Sequence, residues 1–332
     1  MTLQAETFVI VNYSAARARA AWAQIERALK AGGVRFDAHD ALLAGDAQSV
    51  AREALREGYR TIAVVGGDGT LGEVVSGFFE RETRGIYGSR AATTPARINA
   101  EAALAILPAG TGNDFARGLE GVRASLERWL ERLIRHSRRE HEMKQTRAVD
   151  VLHGTIGDDA RTFFCLNAAT LGIGAEVAGR VAAQGSAVRR LPGEARFALA
   201  AFKSLAHWRA RRVSVQLDDA EAFECATNLV AVANSPFAGG GMMFSPEARL
   251  DDGLLDVVTA SRLTRASLLR EMTRIHSGGH VKNSRVSISR GERVRIEHLT
   301  DADALAVEAD GDVRGHTPLE FRVLPAALKV VY

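Results

Sequence analysis

The sequence predicts an α/β half built on an open parallel sheet, followed by a strand-rich half. Three observations predict it: strand and helix patterns alternate up to Glu120, two glycine-rich turns each follow an apolar strand pattern, and short strand patterns dominate beyond Asp150. At 332 residues the chain exceeds what one hydrophobic core usually spans, so two domains are expected. They are drawn here as residues 1–145 and 146–332, with the last residues able to pack back on the first domain.

Taken in order, residues 8–11 read as a strand, 15–30 as an Ala-rich helix, 34–39 as a strand, 47–57 as a helix and 61–65 as a β-branched strand. A helix over 71–81, a polar linker over 83–101 and an apolar strand over 102–107 follow. The charged run 123–147 marks the domain boundary. Beyond it strands are expected over 162–171, 212–217, 224–233, 254–258, 294–298 and 305–309, with helices over 193–210 and 265–276, which suits a sandwich or barrel with insertions.

Basic and acidic residues number 43 and 40, too balanced for a general nucleic-acid binder. Cys165 and Cys225 lie far apart in apolar strand-like runs, which suits buried reduced thiols in a cytoplasmic setting. The N-terminus lacks the regions of a signal peptide, and no window approaches the ~20 apolar residues of a spanning helix. A soluble or peripheral protein is expected.

The segment TIAVVGGDGTLGEVVSGFF sets Gly66, Gly67, Asp68, Gly69 and Thr70 between a strand and an amphipathic helix. Amides at such a turn point outward and glycine lets an anionic phosphate approach, so a phosphate cradle is one reading and a plain Asp-Gly turn the other. The loop has no lysine and is neither a Walker A loop nor G-x-G-x-x-G. Asp68 suits a hydrogen bond or a water-mediated contact to Mg²⁺. A second turn, ILPAGTGNDFARGL, carries Gly110, Thr111, Gly112, Asn113 and Asp114, where Asn or Asp can also cap the helix. Two such turns at neighbouring strand ends can face one nucleotide.

GGDGT followed by LPAGTGNDFAR resembles the catalytic domain of the diacylglycerol kinase and related lipid kinase family, related in fold to NAD kinase. VANSPFAGGGMMFSPEARLDDGLLDVV, over 232–258, and EADGD, over 308–312, extend the resemblance over nearly the whole chain. It implies an α/β domain, a β-sandwich domain and an active site in the cleft between them. It implies that Gly66, Gly67, Asp68, Gly69, Thr70 and Thr111 contact ATP, with Glu73, Gly110, Asn113 and Asp114 beside them. Asp310 would be the general base that takes the acceptor hydroxyl proton, although Asp310-Gly311 alone reads as a hairpin turn. A structural Mg²⁺ would use the Asp252 side chain with the carbonyls of Arg249 and Leu254, and Asp150 and Asp312 would support that network. Without the resemblance, Asp251 and Asp252 read as a solvated turn.

Four departures stand out. Gly72 replaces a common Asn; Asn12-Tyr13 replaces Asn-Pro; no threonine follows the second strand near His39 and Asp40; and Asp312 replaces Glu. Arg117 suits a phosphate or headgroup contact or a plain surface position, and His276 and His280 read as non-metal residues.

A lipid acceptor at a membrane surface calls for a docking face. Arg189, Arg190, Arg196, Lys203, Arg209, Arg211 and Arg212 make the region around the helix over 193–210 basic, and Phe197, Ala201, Leu205 and Trp208 form an apolar stripe. Burial of that stripe on its own domain is the preferred reading, with transient docking at the inner membrane face the other. The expected activity is ATP-dependent transfer of the γ-phosphate to diacylglycerol or a related lipid, with no nucleic-acid partner and a homodimer allowed. A kinase of the NAD kinase or phosphofructokinase type and a weakly catalytic nucleotide- or lipid-binding regulator are the alternatives.

Overall fold

The computed structural model describes residues 5–80, 95–123, 125–138, 146–157, 159–185, 188 and 193–332. It divides into two compact units, Met1–Asp150 with Ala326–Tyr332, and Val151–Pro325.

The first unit runs β1 (Thr7–Asn12), α1 (Ala16–Ala31), β2 (Phe36–Ala41), α2 (Asp46–Glu57), β3 (Thr61–Gly66), α3 (Asp68–Gly77), β4 (Ala103–Pro108), α4 (Asp114–Glu120) and α5 (Leu126–Ser137). The four strands are parallel in the order β4-β3-β1-β2, with His39, Ile10, Val64 and Ile106 in one row across the sheet. Every residue of β3 and β4 is buried, as in strands covered on both faces. Alternation sends Val9, Val11, Ala63, Val65, Ala105 and Leu107 into a core with Ile25 and Leu29 of α1. At the edge of β4 the end of the chain adds Lys329 and Val330, parallel to Ala103 and Leu104.

The charged run expected as a boundary contains α5, which belongs to the first unit. Beneath its charges Leu130 and Leu133 stand three residues apart and enter the same core. Arg132 stacks over the rings of Trp129 and Tyr332, 4.5 and 4.1 Å from their centroids, and pairs with Glu120 at 2.9 Å. The rest of that run, residues 139–145, lies outside the described residues, as do residues 83–94 of the expected linker.

Counting β5 (Thr146–Ile156), the second unit continues with β6 (Arg161–Cys165), β7 (Ala168–Gly172), α6 (Ile173–Ala182), α7 (Gly193–His207), β8 (Arg211–Leu217) and β9 (Phe223–Ala233). After β10 (Phe237–Ala238) and β11 (Met242–Met243) come β12 (Leu255–Ser261), α8 (Arg265–Arg274), β13 (Val286–Gly291), β14 (Arg293–His298), β15 (Ala306–Ala309), β16 (Asp312–His316) and β17 (Leu319–Val331). Its strands pair antiparallel, and the 11-residue β9 is shared: its first half pairs with β8, its second with β7 and β12. This gives a β-sandwich-like unit over a core of Leu171, Val213, Val230, Val257, Ile296 and Phe321.

The expected strand over 162–171 is two strands, β6 and β7, broken at Leu166 and Asn167. The helix α6 and the 13-residue β17 were not anticipated. Proline at position 325 interrupts the β17 pattern, and Ala326 takes φ 49°. There the Asp150 carboxylate accepts the Ala326 amide at 2.7 Å, tying the two places where the chain passes between units.

Candidate active site

In the first unit β3 ends at Gly66 and α3 begins at Asp68, so the glycine-rich turn is one residue long. The helix was expected from residue 71; it starts earlier because Asp68 puts negative charge in the first turn, where the helix dipole favours it. Asp68, Gly69 and Thr70 therefore form that first turn, whose amides have no partner within the helix.

Thr70 faces inward: it is 7% exposed, and its hydroxyl accepts from the Asn12 Nδ2 at 2.7 Å. Asn12 Oδ1 in turn accepts from the Ser14 hydroxyl and the Ala15 amide, at 2.6 and 3.1 Å. Thr70 thus joins α3 to the end of β1.

The two glycine-rich turns touch. A Cβ on Gly67 would lie 3.0 Å from the Gly110 Cα, and a Cβ on Gly110 only 2.4 Å from the Gly67 Cα. Each glycine makes room for the other's backbone. Asp68 Oδ1 accepts the Phe115 amide in the first turn of α4 at 3.0 Å, a second tie between the turns. Asn113, at φ 53°, does not cap α4. It folds back to accept from the Gly110 amide at 2.9 Å and to donate to the Gly110 carbonyl at 3.3 Å.

Asp114 is buried, Glu73 and Arg117 are partly exposed and Thr111 is exposed. A Cβ on Gly69 or Gly72 would meet nothing within 4 Å, so this side of α3 is open. A pocket runs beneath the turns, lined by Val64, Gly67, Asp68, Leu71, Ile106 and Asn113 among others. Arg17, on the first turn of α1, reaches the Gly110 carbonyl at 3.4 Å.

In the second unit Asp310 and Gly311 form the turn between β15 and β16, with φ 49° and 95°. Positive φ at both positions is the turn whose twist matches a hairpin. The Asp310 carboxylate accepts two successive backbone amides, Leu166 at 2.6 Å and Asn167 at 2.9 Å. Those residues are the break between β6 and β7, so the interruption of the expected strand supplies the donors. Behind them Asn167 O accepts from the Asn234 and Ser235 amides at 2.8 and 3.0 Å, and Asn234 Nδ2 donates to the Leu166 carbonyl at 2.9 Å.

Glu308, two residues before Asp310, is 9% exposed. It accepts from the Thr170 hydroxyl at 2.6 Å and from the Gly311 amide at 2.5 Å. Burial outweighs these bonds and pushes its carboxyl up to about 7. The Cys165 thiol, fully buried beside Glu308 and Asp310, is pushed well up, first by burial and then by their charges. Asp312 pairs with Arg314 at 3.2 Å.

At the expected metal position Asp252 Oδ1 accepts the Leu254 amide at 3.1 Å, and Arg249 lies 3.7 Å from Asp251. Among the described residues no three His, Cys, Asp or Glu side chains gather as a metal cluster. A cation there would rest on carbonyl oxygens plus the Asp252 carboxylate, a donor set that fits a hard ion. His280 bonds the Phe244 carbonyl at 3.0 Å and is held below its usual range by burial.

Of the apolar stripe, Ala201, Leu205 and Trp208 are buried in their own unit's core. They offer nothing to a membrane. Arg189, Arg190 and the Phe197 side chain lie outside the described residues. Phe202, on the same helix, is 71% exposed. No helix among the described residues is long and apolar enough to cross a membrane.

Glu308, Thr170, Leu166 and Asn167 were not singled out from the sequence. Glu308 stood inside the quoted EADGD, where a carboxylate at strand spacing from Asp310 was the available signal.

The chain thus has a parallel α/β unit with two facing glycine-rich turns and a β-sandwich-like unit with a clamped Asp-Gly turn. Residues 6–146 match the diacylglycerol kinase catalytic domain, and residues 169–332 match the YegS C-terminal NAD kinase β-sandwich-like domain. A Pseudomonas aeruginosa protein named "Probable lipid kinase YegS-like" is 30% identical over 286 residues, 86% of this chain and 81% of that protein. A Mycobacterium tuberculosis diacylglycerol kinase is 29% identical over 290 residues, 87% and 82% of the two chains. The crystal structure of a diacylglycerol kinase from Bacillus anthracis shares the fold at a TM-score of 0.66 and 21% identity, covering 98% of this chain and 96% of that one. The chain belongs to the diacylglycerol and YegS-like lipid kinase family, phosphotransferases with an alcohol group as acceptor.

Proposed function

We propose that the chain transfers the γ-phosphate of ATP to the hydroxyl of diacylglycerol or a related lipid. The observation that carries the nucleotide part is the contact of the two glycine-rich turns at Gly67 and Gly110, joined by Asp68 and the Phe115 amide. It brings the first turns of α3 and α4 together beside the open surface at Gly69 and Gly72. The first-turn amides of α3, which have no partner within the helix, and its positive end favour a phosphate chain, while the Phe115 amide of α4 is taken by Asp68.

Phosphoryl transfer asks the protein for positioning, charge neutralisation and an acceptor for the hydroxyl proton. Gly66, Gly67, Asp68, Gly69, Gly110 and Thr111 border the nucleotide in this reading, with Glu73, Asn113, Asp114 and Arg117 nearby. Asn113 and Thr70 hold the turns rather than the ligand, since their side chains already bond Gly110 and Asn12. Asp310 takes the acceptor proton, and the Leu166 and Asn167 amides fix the position of its carboxylate. Asp252 with the Arg249 and Leu254 carbonyls would hold a structural Mg²⁺. Mg²⁺ bound with ATP supplies neutralisation of the phosphate charge.

The acceptor is drawn from a membrane surface by transient peripheral contact. Incubating the protein with ATP, Mg²⁺ and a panel of diacylglycerols, sphingoid bases and soluble alcohols, with products read by mass spectrometry, tests the reading. A phosphorylated lipid is expected. Phosphorylation of a soluble acceptor alone, or ATP binding without turnover on any acceptor, would overturn it.

A further inference from the structure

Glu308 is a carboxyl group buried two residues from Asp310. Burying an ionisable group is unfavourable unless it is hydrogen-bonded or paired, and both oxygens of Glu308 are bonded. Glu308 on β15 stands opposite Thr170 on β7, and its two oxygens accept from the Thr170 hydroxyl and the Gly311 amide. Gly311 is the second residue of the turn whose first residue is Asp310.

Asp310 sits at φ 49°, in the left-handed region that aspartate enters more readily than most side chains, and Gly311 follows it at φ 95°. The pairing of β15 with β16 also slips at Glu308, between Val307 and Glu308. The other ties on the turn come from the β6-β7 connection: Asp310 N donates to the Ala168 carbonyl at 3.3 Å, and its carboxylate accepts from Leu166 and Asn167. Those bonds hold Asp310 itself. Among the described residues, Glu308 is the side chain whose carboxyl bonds Gly311.

We propose that Glu308 is the positioning residue of Asp310, its carboxyl clamped between the Thr170 hydroxyl and the Gly311 amide so that the left-handed turn aims the Asp310 carboxylate at the acceptor. This rests on the reading of Asp310 as the proton acceptor. The clamp works in either protonation state, because a protonated carboxyl still accepts from Gly311 through one oxygen and donates to Thr170 through the other. The upward push on Glu308 by burial is consistent with that use.

The test compares Glu308→Gln, Glu308→Ala, Thr170→Val and Asp310→Asn with the full wild-type chain. Melting temperature, KM for MgATP and kcat with diacylglycerol in mixed micelles are measured for each. Asp310→Asn should lose about a hundred- to ten-thousandfold in kcat. Glu308→Ala should lose about ten- to a hundredfold in kcat with KM for ATP unchanged, the signature of a misaimed group rather than a damaged nucleotide site. Glu308→Gln should recover most of that loss, since its amide oxygen accepts from Gly311 and its NH₂ donates to Thr170. Full kcat in Glu308→Ala beside an inactive Asp310→Asn would overturn the inference and leave the proton-acceptor reading standing. Equal kcat losses in Gln and Ala, accompanied by a higher KM for ATP, would also overturn it. Turnover retained in Asp310→Asn would refute the proton-acceptor reading and with it the inference. Should Glu308→Ala fail to fold, Thr170→Val decides: a lowered kcat at unchanged KM supports the clamp, and wild-type kcat refutes it.

Discussion

Replacing Gly110 with alanine puts the contact between the two glycine-rich turns under direct strain. The new Cβ would stand 2.4 Å from the Gly67 Cα, 2.8 Å from Asn113 Oδ1 and 3.2 Å from the Gly67 nitrogen. Ordinary contact begins at 3.4 Å, so the turns must part by about 1 Å. Neither neighbour yields easily, because Gly67 is backbone at the start of α3 and Asn113 is held by two bonds to residue 110. Overpacking of this kind costs about 1–3 kcal/mol. At about 2–4 °C per kcal/mol for a domain of this size, the melting temperature should fall by several degrees. The same parting stretches the 3.0 Å bond from the Phe115 amide to Asp68, so KM for MgATP should rise about tenfold or more. Gly72→Ala is the control: its Cβ meets nothing within 4 Å inside α3, and it should stabilise by about 0.5–1 kcal/mol. Calorimetry and steady-state kinetics on the two variants read both effects. A Gly110→Ala protein with wild-type melting temperature and KM would refute the close approach and the nucleotide reading built on it.

Asp68→Ala removes the acceptor of the Phe115 amide and should cost about 1–2 kcal/mol in urea unfolding, whereas Asp68→Asn keeps an acceptor and should cost less. Gly69→Ala should leave stability unchanged or slightly raised while weakening MgATP in calorimetric titration, because its Cβ enters open space at the helix start. Thr264→Ala removes the cap bond to the Ser267 amide at 3.2 Å, and should cost about 1 kcal/mol with lipid turnover unchanged. The carboxyl of Glu308 moves from 4.5 unfolded to about 7 folded, so between those pH values the unfolded chain ionises first and stability falls as pH rises. The displacement corresponds to roughly 3 kcal/mol, and the difference between wild type and Glu308→Gln in urea titrations at pH 5 and pH 8 should show that trend. His153, depressed to about 4 mainly by burial, gives the opposite trend as pH falls below 6.5, and the difference measurement removes it.

The parallel half was legible because its signals are local: β-branched strands, Ala-rich helices and glycine at the strand ends. The start of α3 was placed late because glycine and aspartate read as a turn, while the helix dipole and the packing of Thr70 on Asn12 draw them into the first turn. The glycines at 67 and 110 were read as room for a phosphate. Their room is first needed by each other, a contact between residues 43 positions apart that no local pattern carries. The α5 helix carries its core face beneath charge, so the charged run was read as the domain boundary although Leu130 and Leu133 enter the first core.

The strand-rich half was harder, because its long-range pairings decide where strands break. Residues 162–171 form one continuous strand pattern, yet the chain opens at Leu166 and Asn167 to donate both amides to Asp310. That partner lies 144 and 143 residues away. The hairpin reading of Asp310-Gly311 was right as local chemistry, and the buried Glu308 beside it became visible only with Thr170 opposite.

Transfer of label from γ-labelled ATP to diacylglycerol in mixed micelles, by the wild-type chain and by Asp310→Asn, tests the central claim most directly. The account predicts labelled phosphatidic acid from the wild type and a loss of at least about a hundredfold in the variant, with MgATP binding retained and the melting temperature lowered only by the loss of one of the two amide bonds to residue 310. Unlabelled lipid with the wild type across the acceptor panel, or equal labelling by Asp310→Asn, would contradict it.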